Sequence, residues 1–399
     1  MSKVARYLIV LLVCVVVPNV GGCIAGRPRL RLGSFPTSTP GTTFVSTDKL
    51  GQHSYNYSPL EKNGIAYTCR GGHIDIVHLR IGADNTKYIT NKLYDGLLKD
   101  KTEFTFVLTG DRSKHNVQIS YPENWNQLQK EPIAREVSLK LGPYLAYSAT
   151  TWHEMLTWFG FSTMFAIPEF SSAFSWEDTY SNLLGIHIAI KAMQDSEHKY
   201  NQAMTLAMHR ELEGLGGQSA KVAKSAAQEV RGQWFSGNLA VSMKKRNLDI
   251  GLDDGYVTPM LVPGLCPQAK PKPYSVPNPD VSMYGFSMQY QIFPKEFERG
   301  RILKIVYPDG RGKTIKPDIH FAPIMAHIRE AATKKYGPEV AMAYDPDKIT
   351  EQEPIQIAAA TIVKKAEPVH TVVSSRTKKH NYIQELWELG VEKHGPIKH

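Results

Sequence analysis

The chain has 399 residues, 42% hydrophobic and 21% charged, enough to bury a core and to exclude wholesale disorder. Four cysteines exclude a disulfide-dense scaffold, and at roughly 150 residues per domain the length allows one to three domains. The net charge of +9, from 47 basic against 38 acidic residues, invites a nucleic-acid partner, but the N-terminal residues point to a membrane instead.

Lys3 and Arg6 precede an apolar run, Tyr7 to Val17, too short to cross a bilayer, which takes about 20 apolar residues. These are the proportions of a secretory signal over residues 1–22. Val20-Gly21-Gly22-Cys23 resembles the bacterial lipobox, in which an aliphatic residue and two small ones precede the cysteine that is lipidated. An ordinary secretory signal cut near Gly22 is the alternative. On the lipobox reading Cys23 carries the lipid and Cys14 leaves with the signal, so Cys69 and Cys266 remain. Loss of Lys3 and Arg6 also takes the charge from +9 to +7. The expected partner is then a membrane, reached through the N-terminal lipid, and not nucleic acid. Ile24 stands where an inner-membrane retention signal places Asp, which points to the outer membrane, facing the periplasm.

Residues 23–50, rich in Pro, Ser, Thr and Gly, read as a tether, and residues 51–340 as one large globular domain. Helical periodicity runs from Gly71 to about Lys99, with Ile74, Val77, Ile81 and Tyr88 on one stripe. Phe104 to Leu108 reads as a strand and Tyr147 to Phe161 as a second helix. A third runs from the capping-box pattern Ser175-Trp176-Glu177-Asp178 to Met193. Ser196–Leu215 and residues 218–232 read as two more helices. Beyond a proline-studded loop carrying Cys266, Met283–Phe293 and Ile302–Tyr307 read as strands and residues 320–336 as a helix. Residues 341–399 form a basic tail. The class is α+β, a helix-rich first two-thirds packed on a small mixed or antiparallel sheet.

Chemistry-bearing residues concentrate in Cys69-Arg70-Gly71-Gly72-His73-Ile74-Asp75-Ile76-Val77-His78-Leu79-Arg80. On a helix Asp75 and His78 lie about 60° apart, as a ligand pair or a surface ion pair. Cys69, ahead of a helix N-terminus and beside Arg70, has the setting of an activated thiolate, with His78 as base and Asp75 orienting it. In an oxidising compartment the two remaining cysteines tend instead to form a Cys69–Cys266 disulfide. Trp152-His153-Glu154 opens like the zinc motif H-E-x-x-H, but Thr157 occupies the second histidine position. His153 is then a ligand alongside Asp75 and His78 for Zn²⁺ or a similar divalent ion, with Glu154 as base and Arg80 on a substrate anion. The alternative for His153 is a buried histidine among aromatic rings. Asp178 is accounted for as the capping partner of Ser175, leaving Glu177 and Asn182 as supporting residues. No G-x-S-x-G, phosphate loop or dinucleotide fingerprint supports lipase, nucleotide or nicotinamide chemistry.

Taken together, Tyr67 to Arg80, Thr151 to Glu154, Ser172 to Asn182, Leu252 to Pro259 and Tyr284 to Phe286 resemble a family of bacterial predicted lipoproteins known as domain of unknown function 4056. The resemblance spans about residues 50 to 330 and implies no established activity. It implies an aromatic residue at His73, which favours His78 over His73 in any catalytic role. The reading is a lipid-anchored envelope protein acting as a metal- or cysteine-dependent hydrolase or acyl transferase. Its rival is a binding or assembly lipoprotein whose polar motifs lock helices together.

Overall fold

The computed structural model describes residues 26–31, 42–56, 58–161, 172–236 and 243–340. The signal sequence, Cys23 and the basic tail read from the sequence lie outside the described residues. So does Glu169-Phe170-Ser171. Of the stretch read as a tether, residues 26–31 and 42–50 pack on the body, with Leu50 fully buried and Phe44 bridging to Ile65.

A buried hairpin opens the folded body: β1 (Ile65–Thr68) pairs antiparallel with β2 (Gly72–Asp75), from Ile65 opposite Asp75 to Thr68 opposite Gly72. The helix expected from Gly71 therefore starts late. Gly71 and Gly72 are weak helix formers, and Gly72 adopts a positive φ of 66° with the Met260 carbonyl so close that a Cβ would meet it at 2.1 Å. Asp75 ends the strand and caps helix α1 (Ile76–Leu98), its Oδ1 accepting from the Val77 N–H at 2.7 Å.

Helix α1 packs against α2 (Lys130–Trp158) and α3 (Asp178–Gln194), and is buried along most of its length. Helix α2 begins at Lys130, well before the expected Tyr147, and carries Pro143 within it. Helices α4 (Tyr200–Gly214) and α5 (Ala220–Glu229) follow, α5 capped by the Ser219 hydroxyl. Strands β3 (Glu103–Phe106), β4 (Lys114–Ser120) and β7 (Ser287–Phe293) form an antiparallel sheet in the order β3-β4-β7. Strand β4 alternates, with His115, Val117 and Ile119 inward. The short pair β5 (Tyr256–Val257) and β6 (Tyr274–Ser275) makes a third small sheet.

The strand expected over Ile302–Tyr307 is instead helix α6 (Arg299–Val306), followed by α7 (Pro317–Tyr336). Ile302, Ile305 and Val306 stand at i, i+3 and i+4, a helical stripe that short apolar runs share with strands. The α+β class holds, with helices dominating the first two-thirds beside small antiparallel sheets. No described helix is long and apolar enough to cross a membrane.

Candidate functional site

Three helix ends meet around one imidazole. Asp75 is the cap of α1, His78 lies in its first turn, Asp178 opens α3, and Glu154 sits in the last turns of α2. The Asp75 N–H donates to the Ser181 hydroxyl at 3.0 Å, tying the end of β2 to the first turn of α3. His78 Nδ1 stands 2.7 Å from Asp75 Oδ2 and 3.3 Å from Asp178 Oδ1. Among the described residues, Asp75, His78 and Asp178 form the one group of three metal-ligating side chains whose donor atoms lie within 4.8 Å of one another. The carboxylates are buried, whereas the His78 side chain is 19% exposed and gives the cluster its opening to solvent.

Burying so many acids together has a protonic consequence. Burial raises the Asp178 carboxyl to about 7; His78 opposes that shift, and Glu154 and Asp75 add to it. Burial alone would lower His78, but Asp178 and Asp75, the hydrogen bond to Asp75, and Glu154 outweigh it and hold the imidazole well above its usual range. Glu177 is driven well above the carboxylate range by burial and then by Asp178 and Asp75. Its Oε1 accepts from the Ser175 hydroxyl at 2.9 Å, while its buried Oε2 has no hydrogen-bond partner. Carboxylates and an imidazole thus share one buried space, the environment in which a divalent cation competes with protons for the same lone pairs.

Glu154 also fixes backbone. Its Oε2 accepts from the N–H of Phe174, a residue with a positive φ of 54°. Arg246 closes the inner side: fully buried, it donates to the Ala173 carbonyl and its guanidinium lies 5.1 Å from the Trp158 ring. Its charge acts on both Asp178 and Glu154.

The structure brings Asp75, His78 and Glu154 together as the sequence suggests, and adds Asp178 and Arg246. The capping box read for Asp178 does not form: α3 takes Glu177 as its cap residue and the Ser175 N–H donates to the Ser172 carbonyl, although the Ser175 hydroxyl serves both the Glu177 and the Asp178 carboxyls. Asp178 carried a signal nonetheless, as the second acid of Glu177-Asp178 at a helix start; Arg246 carried none.

Three other expected residues lie elsewhere. His153 is outside the group of ligands and bonds Asp111 at 2.8 Å, edge-on to Phe161. About 100° apart on α2, His153 and Glu154 turn here to different partners, Asp111 and the Phe174 N–H. Arg80 is fully buried on another flank of α1, donating to Asn63 Oδ1 at 2.7 Å and to the Leu50 and Lys62 carbonyls, and is closed to a substrate. Cys69 is bonded to Cys266, so the resting protein offers no thiolate there and the disulfide alternative holds. His73 is buried between Tyr67 and Trp176, and burial lowers it to about 4, so it stays neutral and accepts from the Trp176 indole.

A family model described as "Protein of unknown function (DUF4056)" matches residues 41–253, a stretch containing Asp75, His78, Glu154, Asp178 and Arg246. No curated protein and no solved structure matches the chain.

Proposed function

The chain belongs to this family of proteins of unknown function, and we propose that it is a metal-dependent hydrolase or acyl transferase held by lipid in the bacterial cell envelope. The observation that carries the reading is the convergence of Asp75, His78 and Asp178 donors within 4.8 Å, with Glu154 beside them and His78 reaching solvent. One imidazole and two carboxylates are a donor set for Zn²⁺ or Mn²⁺, and three protein ligands leave a position for water. Asp75, His78 and Asp178 would hold the ion, which would supply Lewis acidity, and Glu154 would accept the proton of the attacking water. The Cys69–Cys266 disulfide supports an oxidising compartment, in keeping with the signal and lipobox pattern.

Metal analysis after equilibrium dialysis of the full chain against Zn²⁺ or Mn²⁺ tests the reading. Close to one tightly held ion is expected, with Asp75→Asn and Asp178→Asn each weakening affinity by roughly a hundredfold. Hydrolysis of model acyl esters and amides should disappear on chelation and return with the ion. Equal, weak uptake by wild type and Asp178→Asn would sink the proposal and leave the cluster as a lock between helices.

A further inference from the structure

Two exposed phenylalanines stand among cations at one edge of the three-stranded sheet. Phe293 ends β7 directly opposite Lys114, the first residue of β4, and side chains paired in this way share a face. Phe297 is 74% exposed on the turn into α6, with the Arg112 guanidinium 5.2 Å from its ring centre. Lys295 and Arg299 flank it, both exposed. Of the two acids in this stretch, Glu298 is half-buried beside Phe297, whereas Glu296 faces inward: it is buried and accepts from the N–H groups of Arg112, Ser113 and Lys295 and from the Ser113 hydroxyl. One carboxylate therefore pins the turn before β4 to the turn after β7. It withdraws its own charge from the surface and fixes rings and cations on a common platform.

The N-terminal segment runs beside the same turn. The Thr109 hydroxyl donates to the Pro28 carbonyl at 2.8 Å, Leu30 lies against Gly110, and Arg31 is held by Asp84 at 2.9 Å. Two residues separate Cys23 from Gly26, three chain steps with a reach of about 10 Å. On the lipid-anchor reading, from which this inference takes its partner, the bilayer begins within that reach of a segment touching the platform's own turn.

We propose that Phe293 and Phe297, with Arg112, Lys114, Lys295 and Arg299, seat the body on an anionic bilayer. The rings enter the headgroup region and the cations meet lipid phosphates. Four cations against the one half-buried Glu298, interrupted by exposed aromatic rings, suit that surface, because phenylalanine gains from leaving water while lysine and arginine keep their heads at the interface.

The test is cosedimentation of the full chain carrying Cys23→Ser, which removes the lipid, with vesicles of phosphatidylcholine alone or with about 30 mol% phosphatidylglycerol. Binding is expected on the anionic vesicles and should weaken as salt rises. Lys295→Glu with Arg299→Glu should lower the association constant at least tenfold, and Phe297→Ser about fivefold. All the chains compared share the N-terminal apolar run, so its own affinity cancels, and unchanged melting temperatures confirm folding at these exposed positions. Equal binding to neutral and anionic vesicles, or binding indifferent to the substitutions, overturns the proposal. The mass of the wild-type N-terminal peptide tests the anchor separately: an unlipidated Cys23 removes the anchor, and anionic-vesicle binding would still uphold the platform.

Discussion

His115 is stacked on Phe106 at 4.6 Å, bonded to the Tyr290 hydroxyl at 2.7 Å, and wholly out of water. Burial lowers it to about 3, and burial likewise takes His53, His73 and His187 to about 4. A histidine that resists its proton in the fold accepts one on unfolding, near pH 6.5. Its contribution is therefore complete above that pH and is lost as the pH falls towards 4. We expect these histidines to lower the unfolding free energy between pH 6.5 and 4, His115 alone by on the order of 3 kcal/mol by the acid end, against the raised carboxyls of Asp178 and Glu177, which act the other way. Denaturant titrations across that range should show a shallower fall for His115→Gln, which keeps a partner for Tyr290; parallel curves would refute the assignment. His78 has the opposite sign, since its raised value favours the fold at low pH and that contribution fades as pH climbs through it. Single residues were unevenly legible in the sequence. Asp75 and His78 are three apart and announce each other, whereas Asp178 meets His78 across a hundred positions and had a local explanation in Ser175.

Helices α1 and α3 approach so closely that each places a glycine against the other's backbone. A Cβ on Gly185 would meet the Leu79 carbonyl at 1.8 Å, and one on Gly82 the Asn182 carbonyl at 2.2 Å. Backbone cannot step aside as a side-chain end can, so either substitution forces the helices apart. Gly185→Ala should destabilise the fold by about 1–3 kcal/mol. It should also weaken cation binding at least tenfold, because Asp75 and His78 ride on α1 and Asp178 on α3. Gly214→Ala, at the last residue of α4 with nothing within 4 Å, is the control and should be neutral or slightly stabilising. Calorimetry and ion titration of the two variants decide the matter; a Gly185→Ala protein matching wild type in both would show that the contact does not set the site. The same close packing explains what the sequence concealed. Gly142-Pro143 lies within α2, and Gly142 is where α2 meets Thr90 of α1, a Cβ there falling only 2.0 Å from the hydroxyl. Helix periodicity was legible wherever one face stayed polar. It blurred in α2 and at the start of α1, where burial on several sides removes the contrast.

At the scale of the molecule, the Cys69–Cys266 bond joins the turn of the β1–β2 hairpin to a loop 197 residues away. That hairpin carries Asp75 at its end, and Tyr67 from β1 packs in a core with Trp176, Ala223, Met260 and Val262. Composition left two cysteines that were either a reactive thiol and a spare or a crosslink. Spacing alone gives no distance between them, so the choice waited on the fold. Closing a loop of this length stabilises the folded state by about 5 kcal/mol in the chain-entropy account, and by 2–5 kcal/mol in typical measurements. The double variant Cys69→Ser/Cys266→Ser should therefore unfold at lower denaturant by about 2–5 kcal/mol, as should the wild type under reductant. None of the contacts given among Asp75, His78 and Asp178 involves either sulfur, so the folded variant should match wild type within about twofold in divalent-ion affinity at the proposed site. A thiol mechanism forecasts the reverse, with Cys69→Ser abolishing turnover while Cys266→Ser preserves it. Measuring stability, ion affinity and turnover on both single variants and the double separates the two. Equal losses of stability from either cysteine, with the ion retained, place the crosslink in the scaffold and leave the chemistry to the acid–histidine cluster.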